Sequence, residues 1–491
     1  MNALLDFFSD RLNPVLVKEV RQSMRGRYFR VVYILTIFVA MFFGMLVLLF
    51  AGDTDEAGTP FFFTIYGCLV LAVSGLIPLQ AFLSVGISWD REAMDMLNLT
   101  GIRPRQIVMG RLASSVTQGG LMTMALLPFL AMSYLLPGVD PLAMVVVLAT
   151  TLAFGVMVVC IALLMSWLTS NRLLRVLMLA LLGMGLFMSS WTAFMSGIGM
   201  MQSPEGLQSV EALLAILVLW LMFFVVAGFC LVASVARLSH REENRSTWMR
   251  LYIIGILVIS YLGLRSMGAH PGMEPELSTV LYALVLLSVM PGMALLVTEP
   301  ERMGRRVQLQ VSKNPVVALF LMPLYPSGGT GAMFCFLMVL SFMGAFLLLP
   351  PVAQLDWLPY EGSIIVLGGY TLWALMIPSV MTSPWTVLRP VRIYAVMFIP
   401  LCVMAVLFIP TLLGLLLDLG SLERMEHLGN PIWVLSEIND NQAGGRSSLS
   451  FWLLLGVVFA MLVNGPRMVR AAIRVQQASS RNRGRDATPS T

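Results

Sequence analysis

The residue types that usually perform chemistry are scarce in this sequence and form no recognised constellation. The three histidines, His240, His270 and His427, lie far apart and have no metal-ligand spacing. The only lysines, Lys18 and Lys313, follow Val and Ser rather than Gly, so the sequence has no phosphate-binding P-loop. All five cysteines fall inside apolar runs, where they act as small hydrophobic residues. We therefore predict no catalytic residue, no metal site and no cofactor in this chain, and so a protein that is not itself an enzyme.

The composition indicates that the chain lies in a membrane. Apolar residues make up 58% of the 491 residues and charged residues only 12%, and the mean hydropathy is +0.85. A soluble domain carries about 25% charged residues, so this chain lacks the polar surface that a water-soluble fold of its size requires. The net charge of +5 is spread beside apolar runs and forms no basic surface with interleaved aromatic residues, which argues against a nucleic acid partner.

Apolar runs of about 20 residues recur along the chain, and a helix of that length crosses the ~30 Å of hydrocarbon in a bilayer. Lipid cannot satisfy backbone polar groups, and unbroken apolar runs are not typical of barrel strands, so we interpret the runs as helices. The sequence thus predicts an all-α, polytopic integral membrane protein with about 12 transmembrane helices. They are predicted at residues 31–51, 61–88, 112–136, 141–168, 174–197, 212–236, 251–268, 277–297, 329–349, 362–381, 393–415 and 450–463.

The positions of the basic residues orient these helices. With a cytoplasmic N-terminus, every Lys and Arg except Arg265, Arg424 and Arg446 falls in a cytoplasmic segment. Cytoplasmic loops are enriched in Lys and Arg, so we place both the N-terminus and the C-terminus in the cytoplasm. The N-terminal segment lacks the features of a cleaved signal peptide, so we expect the first span to remain in the mature protein.

A basic amphipathic segment precedes the first predicted span. Four residues at helical spacing form its apolar face: Val17, Val20, Met24 and Tyr28. The same segment carries three basic residues: Lys18, Arg21 and Arg25. This pattern predicts a helix that lies in the inner interface of the membrane, in contact with lipids. A plain basic anchor beside the membrane is an alternative that the pattern leaves open.

The loop between the second and third predicted spans holds a second pattern. The apolar ridge of a short helix would be formed there by Trp89, Ala93, Met96 and Thr100. The opposite face would hold Arg91, Asp95 and Asn98. Gly101 can end this helix, and Pro104 suits the first turn of the next one. We expect a helix that lies across the cytoplasmic surface and docks a soluble partner, with a solvated connector as the alternative.

The interior of the predicted spans offers little polar chemistry. Gln80 and Gln118 are the most polar side chains of the second and third spans and could line a substrate path. Hydrogen bonding between helices is the alternative role, and the commoner one. No span carries an ionisable residue near its centre, whereas ion-coupled carriers usually need such groups. We therefore expect the energy for any transport to come from a separate protein.

Two runs of the sequence together resemble the ABC-2 type transporter permease family, the membrane subunits of ABC exporters. The first run is NPVLVKEVR at residues 13–21, and the second extends from Glu92 to Arg111. In the second run, Glu92 matches the acidic residue that opens the family's loop, and Leu97 to Ile102 match its hydrophobic-small turn. Gly110 and Arg111 match its Gly-basic entry to the third span. The likeness covers residues 1 to about 135 and extends to about 240, beyond which only hydropathy carries it.

The resemblance implies a function as well as a fold. Residues 13–21 would belong to an elbow helix at the membrane surface, and loop 89–111 would contain the coupling helix that contacts an ABC-type ATP-binding subunit, which binds the ATP. The implied docking residues are Trp89, Arg91, Glu92, Asp95, Met96, Leu97, Thr100, Gly101, Ile102 and Pro104. The protein would be a multi-pass component of the bacterial plasma (inner) membrane. A homodimer or a heterodimer of permeases stays open, as does the substrate.

These expectations divide the chain into four parts. They are a cytoplasmic elbow helix at 1–30, a six-helix ABC-2-like core at 31–240, a second six-helix region at 241–465 and a basic disordered cytoplasmic tail at 466–491. The apolar segment 315–326 is too short to span and predicts an interfacial or re-entrant element. A noncatalytic membrane scaffold that anchors cytoplasmic partners is the alternative function.

Overall fold

The structure, a computed structural model, has only helical elements in the part of the chain that it describes. The described residues are 14–51, 58–88, 104–168, 172–202, 210–238, 246–268, 275–299, 303–348 and 445–487, with 244, 301 and a few positions between 364 and 375. Over these ranges the predicted all-α fold is confirmed.

The helices follow one another without strands in the described ranges. The α-helices are α1 Pro14–Arg25, α2 Arg27–Ala51, α3 Gly58–Val70, α4 Ile77–Ser88, α5 Pro104–Tyr134, α6 Pro141–Leu168, α7 Arg172–Gln202, α8 Val210–Leu238, α9 Thr247–Gly268, α10 Pro275–Val297, α11 Arg305–Gln310, α12 Pro315–Phe320, α13 Gly328–Leu348 and α14 Gly445–Ala487. A π-helical turn, Leu71–Leu76, joins α3 to α4, and a 3-10 turn, Met322–Leu324, follows α12.

Eight of the described helices are long and apolar enough to cross a membrane, which makes this a multi-pass membrane protein. They are α2, the continuous helix from α3 to α4, α5, α6, α7, α8, α9 and α13. The eighth and twelfth predicted spans lie within α10 and α14, which are not among the eight, and most of the tenth and all of the eleventh lie outside the described residues. The total of about 12 spans and the cytoplasmic termini stay predictions.

The chain divides into two compact units, Met1–Leu238 and Ser239–Thr491. In unit 1, α6 packs against α4, α5, α7 and α8 and so occupies the centre of the bundle. The core of this unit is aromatic around Tyr66, whose ring stacks on Phe62 at 5.6 Å and on Phe194 at 5.9 Å between centroids. These contacts fix α3 against α7.

The π-helical turn in the second span has an identifiable cause in Pro78. Proline has no N–H, so the carbonyl of Ser74 loses its usual α-helical donor. The amide of Ile77 donates instead to the carbonyl of Ala72, five residues back. The hydroxyl of Ser74 donates to the Val70 carbonyl at 2.6 Å and lies 2.9 Å from the hydroxyl of Ser190 in α7. The widened turn is thus fastened to a neighbouring helix.

A tight turn between α5 and α6 contacts the start of α3 in unit 1. Gly138 adopts a φ of 100°, a left-handed conformation that favours glycine. The amide of Gly58 donates to the Pro137 carbonyl at 3.1 Å, and the hydroxyl of Thr59 donates to the Gly138 carbonyl at 3.0 Å. These bonds satisfy donors at the start of α3, where Gly58 is buried.

The predicted disordered tail at 466–491 is wrong for residues 466–487, which continue the long helix α14. Ala471, Val475 and Ala478 recur at helical spacing and are buried against the segment from Met303 to Met322. The guanidinium of Arg467 donates from Nε to a carboxylate oxygen of Glu301 at 3.2 Å. The tail thus carries a narrow apolar stripe among many polar residues, and this stripe packs against the segment from Met303 to Met322. The overall composition of the tail nevertheless resembles that of a disordered segment.

The apolar segment 315–326 forms α12 and the 3-10 turn, and it is too short to be a span. Asn314 caps α12, because its side-chain oxygen accepts a hydrogen bond from the Val316 amide at 3.2 Å. Ala318 and Met322 are buried, whereas Phe320 is 84% exposed. One side of the segment is therefore packed inside the protein, whereas the other exposes apolar side chains, as expected of an element that contacts lipid.

Candidate partner-docking site

Among the residues predicted to dock a partner, only Pro104 lies in the described part of the chain, where it is the first residue of α5. The others, Trp89, Arg91, Glu92, Asp95, Met96, Leu97, Thr100, Gly101 and Ile102, lie outside the described residues. The helices that hold the two ends of this loop are described: α4 ends at Ser88 and α5 begins at Pro104. These two helix ends form the described base of the predicted site.

Helix α1 occupies the segment that was predicted to be an elbow helix, and it packs mainly against α5. The predicted apolar residues Val17, Val20 and Met24 are partly buried. The predicted basic residues Lys18, Arg21 and Arg25 are exposed. Tyr28 belongs to α2 rather than α1, and its hydroxyl donates to the Leu76 carbonyl at 3.5 Å. The amphipathic face is thus turned toward the bundle, and the chain bends after it at Gly26.

Arg111 links α1 to the base of the loop. Its Nη2 atom lies 3.6 Å from a carboxylate oxygen of Glu19 in α1, and its Nη1 atom donates to the hydroxyl of Ser84 in α4 at 3.3 Å. The guanidinium carbon also lies 5.6 Å from the ring centroid of Trp167 in α6. Helices α1, α4, α5 and α6 therefore meet at the side chain of Arg111.

The ion pair between Arg111 and Glu19 is largely buried, and this burial strengthens its attraction. The side chains of Arg111 and Glu19 are only 12% and 23% exposed, so water screens their attraction less than it screens a surface ion pair. Removal of Glu19 would leave the guanidinium partly desolvated beside apolar helices, which is costly. If α5 moves, α1 must therefore move with it, or the contact between Glu19 and Arg111 breaks.

The two glutamines proposed for a substrate path lie elsewhere in unit 1. Gln118 is buried in α5, and Gln80 is partly buried in α4. A cavity among the described residues of this unit is lined by other residues, which come from α3, α6, α7 and α8. Neither α4, which holds Gln80, nor α5, which holds Gln118, contributes to its lining.

The cavity has a volume of about 240 Å³ and a lining without charged residues. Its polar lining residues are Tyr66, Thr150, Thr151, Thr192 and Ser196. Its other lining residues are Val147, Phe154, Ala193, Gly197, Met200, Leu219 and Phe223. No single segment of sequence contains this set, so only the packing of four helices reveals it.

A second structural cation was missed in unit 2, where sequence reasoning counted Arg250 only as a loop charge. The side chain is fully buried, and its Nη2 atom donates to a carboxylate oxygen of Glu299 at 2.8 Å. Its Nη1 atom donates to the Thr330 hydroxyl at 3.1 Å and to the Pro323 carbonyl at 2.6 Å. The carbonyl of Tyr325 is a further acceptor. Arg250 therefore holds the connection between α12 and α13 in place.

Comparisons with models of protein families, with curated proteins and with solved structures give no match to this chain.

Proposed function

We propose that this chain is the transmembrane permease subunit of an ABC exporter in a bacterial plasma membrane. It moves its substrate with the energy of ATP hydrolysis in a separate ATP-binding subunit. The observation that carries this proposal is the contact between Glu19 and Arg111, because it joins the two sequence runs that resemble the ABC-2 family. An elbow helix and a coupling loop can act together only if they are mechanically connected.

The proposed route of coupling begins at loop 89–103. An ATP-binding subunit that closes on nucleotide pushes on this loop and thereby on the ends of α4 and α5. Arg111 passes the displacement of α5 to α1 through Glu19 and to α6 through Trp167. In this proposal the helices adopt two arrangements, which the partner binds with different affinities. The nucleotide cycle of the partner then shifts the populations of the two arrangements.

The source of energy supports the same proposal. The sequence contains no P-loop lysine, so ATP would be bound by the partner rather than by this chain. Ion-coupled carriers usually place ionisable groups within the membrane. Arg111 and Arg250, the buried cations described above, lie instead within about the first two turns of α5 and α9. They are engaged with carboxylates there and hold helices together.

The test is a charge reversal in the loop, Glu92→Lys, in the full-length chain expressed with its ATPase. We expect the variant to insert into the membrane at the level of the parent but to lose transport and substrate-stimulated ATP hydrolysis. Asp53→Lys is the matched control, since it reverses a charge in the first loop on the opposite side. Equal activity of the Glu92→Lys variant and the parent would contradict the docking assignment. Partner binding that does not respond to nucleotide would favour a scaffold.

A further inference from the structure

The cavity of unit 1 is open on one side because of how its helices pack. Helices α7 and α8 both pack against α6, and the structure shows no extended contact between α7 and α8 within their described residues. The cavity is lined from both sides of this gap, by Thr192 and Ser196 of α7 and by Leu219 and Phe223 of α8. The side chains of Thr192 and Ser196 are both exposed. The gap is therefore a cleft whose mouth carries hydroxyl groups.

The inner wall of the cleft is fixed by buried hydrogen bonds. The hydroxyl of Tyr66, a residue that is 1% exposed, lies 3.0 Å from the Thr151 hydroxyl and donates to the Ala193 carbonyl at 3.1 Å. The indole of Trp220 donates to the Thr150 hydroxyl at 3.0 Å. A Cβ atom at Gly197 would lie 2.4 Å from the Tyr66 hydroxyl oxygen, so glycine allows this close approach. The cleft is a built feature with a defined wall.

The position of the cleft along its helices indicates whether it faces water or the hydrocarbon layer of the membrane. At a rise of about 1.5 Å per residue, Tyr66 lies about 12 Å from the start of α3, and Ser196 lies about 9 Å from the end of α7. Helix α6 has 28 residues and is about 42 Å long, which exceeds the ~30 Å hydrocarbon layer by about 6 Å at each end. The cleft thus lies inside the hydrocarbon layer, toward the end that the charge pattern places outside the cell.

The size and the lining identify the occupant. A volume of about 240 Å³ is below the ~300–1,000 Å³ that encloses a whole drug-sized ligand, so the cleft accommodates part of a longer molecule. Val147, Phe154, Met200 and Phe223 offer an apolar surface, and the lining holds no charge to pair with an ionic headgroup. The hydroxyls of Thr192 and Ser196 donate to the Ser189 and Ala193 carbonyls at 3.0 and 2.9 Å, so their oxygens can accept a hydrogen bond from a lipid hydroxyl group.

We infer that this cleft binds an uncharged membrane lipid, with one acyl chain between α7 and α8 and its hydroxyl group at Thr192 and Ser196. The lipid enters sideways from the hydrocarbon layer, because the mouth opens between two helices. This inference does not depend on a partner ATPase, and the cleft shares no residue with loop 89–103.

The test uses the purified full-length chain in nanodiscs that contain a diacylglycerol with a photoactivatable diazirine in one acyl chain. We expect crosslinked peptides that include 192–200 and 219–223, and labelling that falls when unlabelled diacylglycerol competes. Ser196→Leu fills the mouth and removes a hydroxyl, so it should reduce this labelling about fivefold, the effect of roughly one hydrogen bond. Thr117→Leu makes a similar change at an exposed hydroxyl in α5, outside the lining, and should leave labelling unchanged.

Three results would overturn the inference. The first is crosslinking spread evenly over the exposed faces of the spans, with no enrichment in α7 and α8. The second is labelling that Ser196→Leu does not reduce, since the fold has no reason to change at an exposed position. The third is stronger labelling by a charged phospholipid analogue with the same diazirine chain. Each can occur whether or not an ATPase binds the chain, so failure here is separate from failure of the proposed function.

Discussion

Neutralisation of Glu19 should release α1 from the bundle without unfolding it. The perturbation is Glu19→Gln, which keeps the size of the side chain but removes the charge that faces Arg111 at 3.6 Å. At an effective dielectric constant of about 20, two unit charges at this separation attract by roughly 4–5 kcal/mol. Desolvation and side-chain ordering offset most of that attraction, so we expect a net loss of about 1–2 kcal/mol. This corresponds to a shift of about 5- to 30-fold toward undocked α1.

The assay measures the reaction of single introduced cysteines with a maleimide applied to the cytoplasmic side of membrane vesicles. Val17→Cys reports docking, because Val17 lies on the partly buried face of α1. Its labelling rate should rise about 5- to 30-fold when Glu19→Gln is added, in proportion to the undocked population. Lys18→Cys is the matched control on the exposed face, where labelling should already be fast and should not change.

A charge swap separates the ion pair from other effects of the substitution. The double variant Glu19→Arg with Arg111→Glu restores opposite charges, so it should return the Val17→Cys labelling rate toward that of the parent. A change of less than twofold in the labelling rate at Val17→Cys on addition of Glu19→Gln would contradict a docking role for this ion pair. An equal rise in the rates at positions 17 and 18 would contradict it as well, because that result indicates unfolding of α1 rather than undocking.

Three further predictions concern other parts of the chain. Arg250→Met breaks a buried ion pair and should lower the free energy of unfolding by about 3–5 kcal/mol. On heating, Cys335 should then become accessible at a temperature ~10 °C lower than in the parent. Arg265→Met, at an exposed position of the same helix, should have little effect. Gly197→Ala forces the Tyr66 ring to move and should lower the thermal stability of unit 1 by about 1–3 kcal/mol, whereas Gly199→Ala meets no atom within 4 Å and should be neutral. An impermeant thiol reagent should label Arg91→Cys only after cells are permeabilised, and labelling in intact cells would place the loop on the wrong side for an ATPase.

The membrane class and the helical fold could be predicted because both depend on composition and on the length of apolar runs. The start of α5 at Pro104 could also be predicted, since proline suits the first turn of a helix. The predicted start of that span at 112 was late because Arg105 and Arg111 lower the local hydropathy, although both lie within the helix. Hydropathy locates the apolar segment of a helix rather than its ends.

The contacts that define the candidate sites could not be predicted, because they join residues that are distant in sequence. Glu19 and Arg111 were recognised only as members of two separate runs, and nothing in either run indicates that they pair. The role of Arg250 depends on backbone carbonyls of residues 323–327, which a side-chain pattern cannot reveal. The helical tail was missed because alanines 471 and 478 contribute little to a hydropathy average but pack closely.

The most direct test of the central claim is a quantitative mass-spectrometric census of the proteins that copurify with the tagged full-length chain from its native membranes. We expect one P-loop ATPase in stoichiometric amount, with binding that changes between ATP and ADP and is lost in the Glu92→Lys variant. The absence of any copurifying ATPase, together with transport that an ion gradient alone drives in vesicles, would contradict the proposed function.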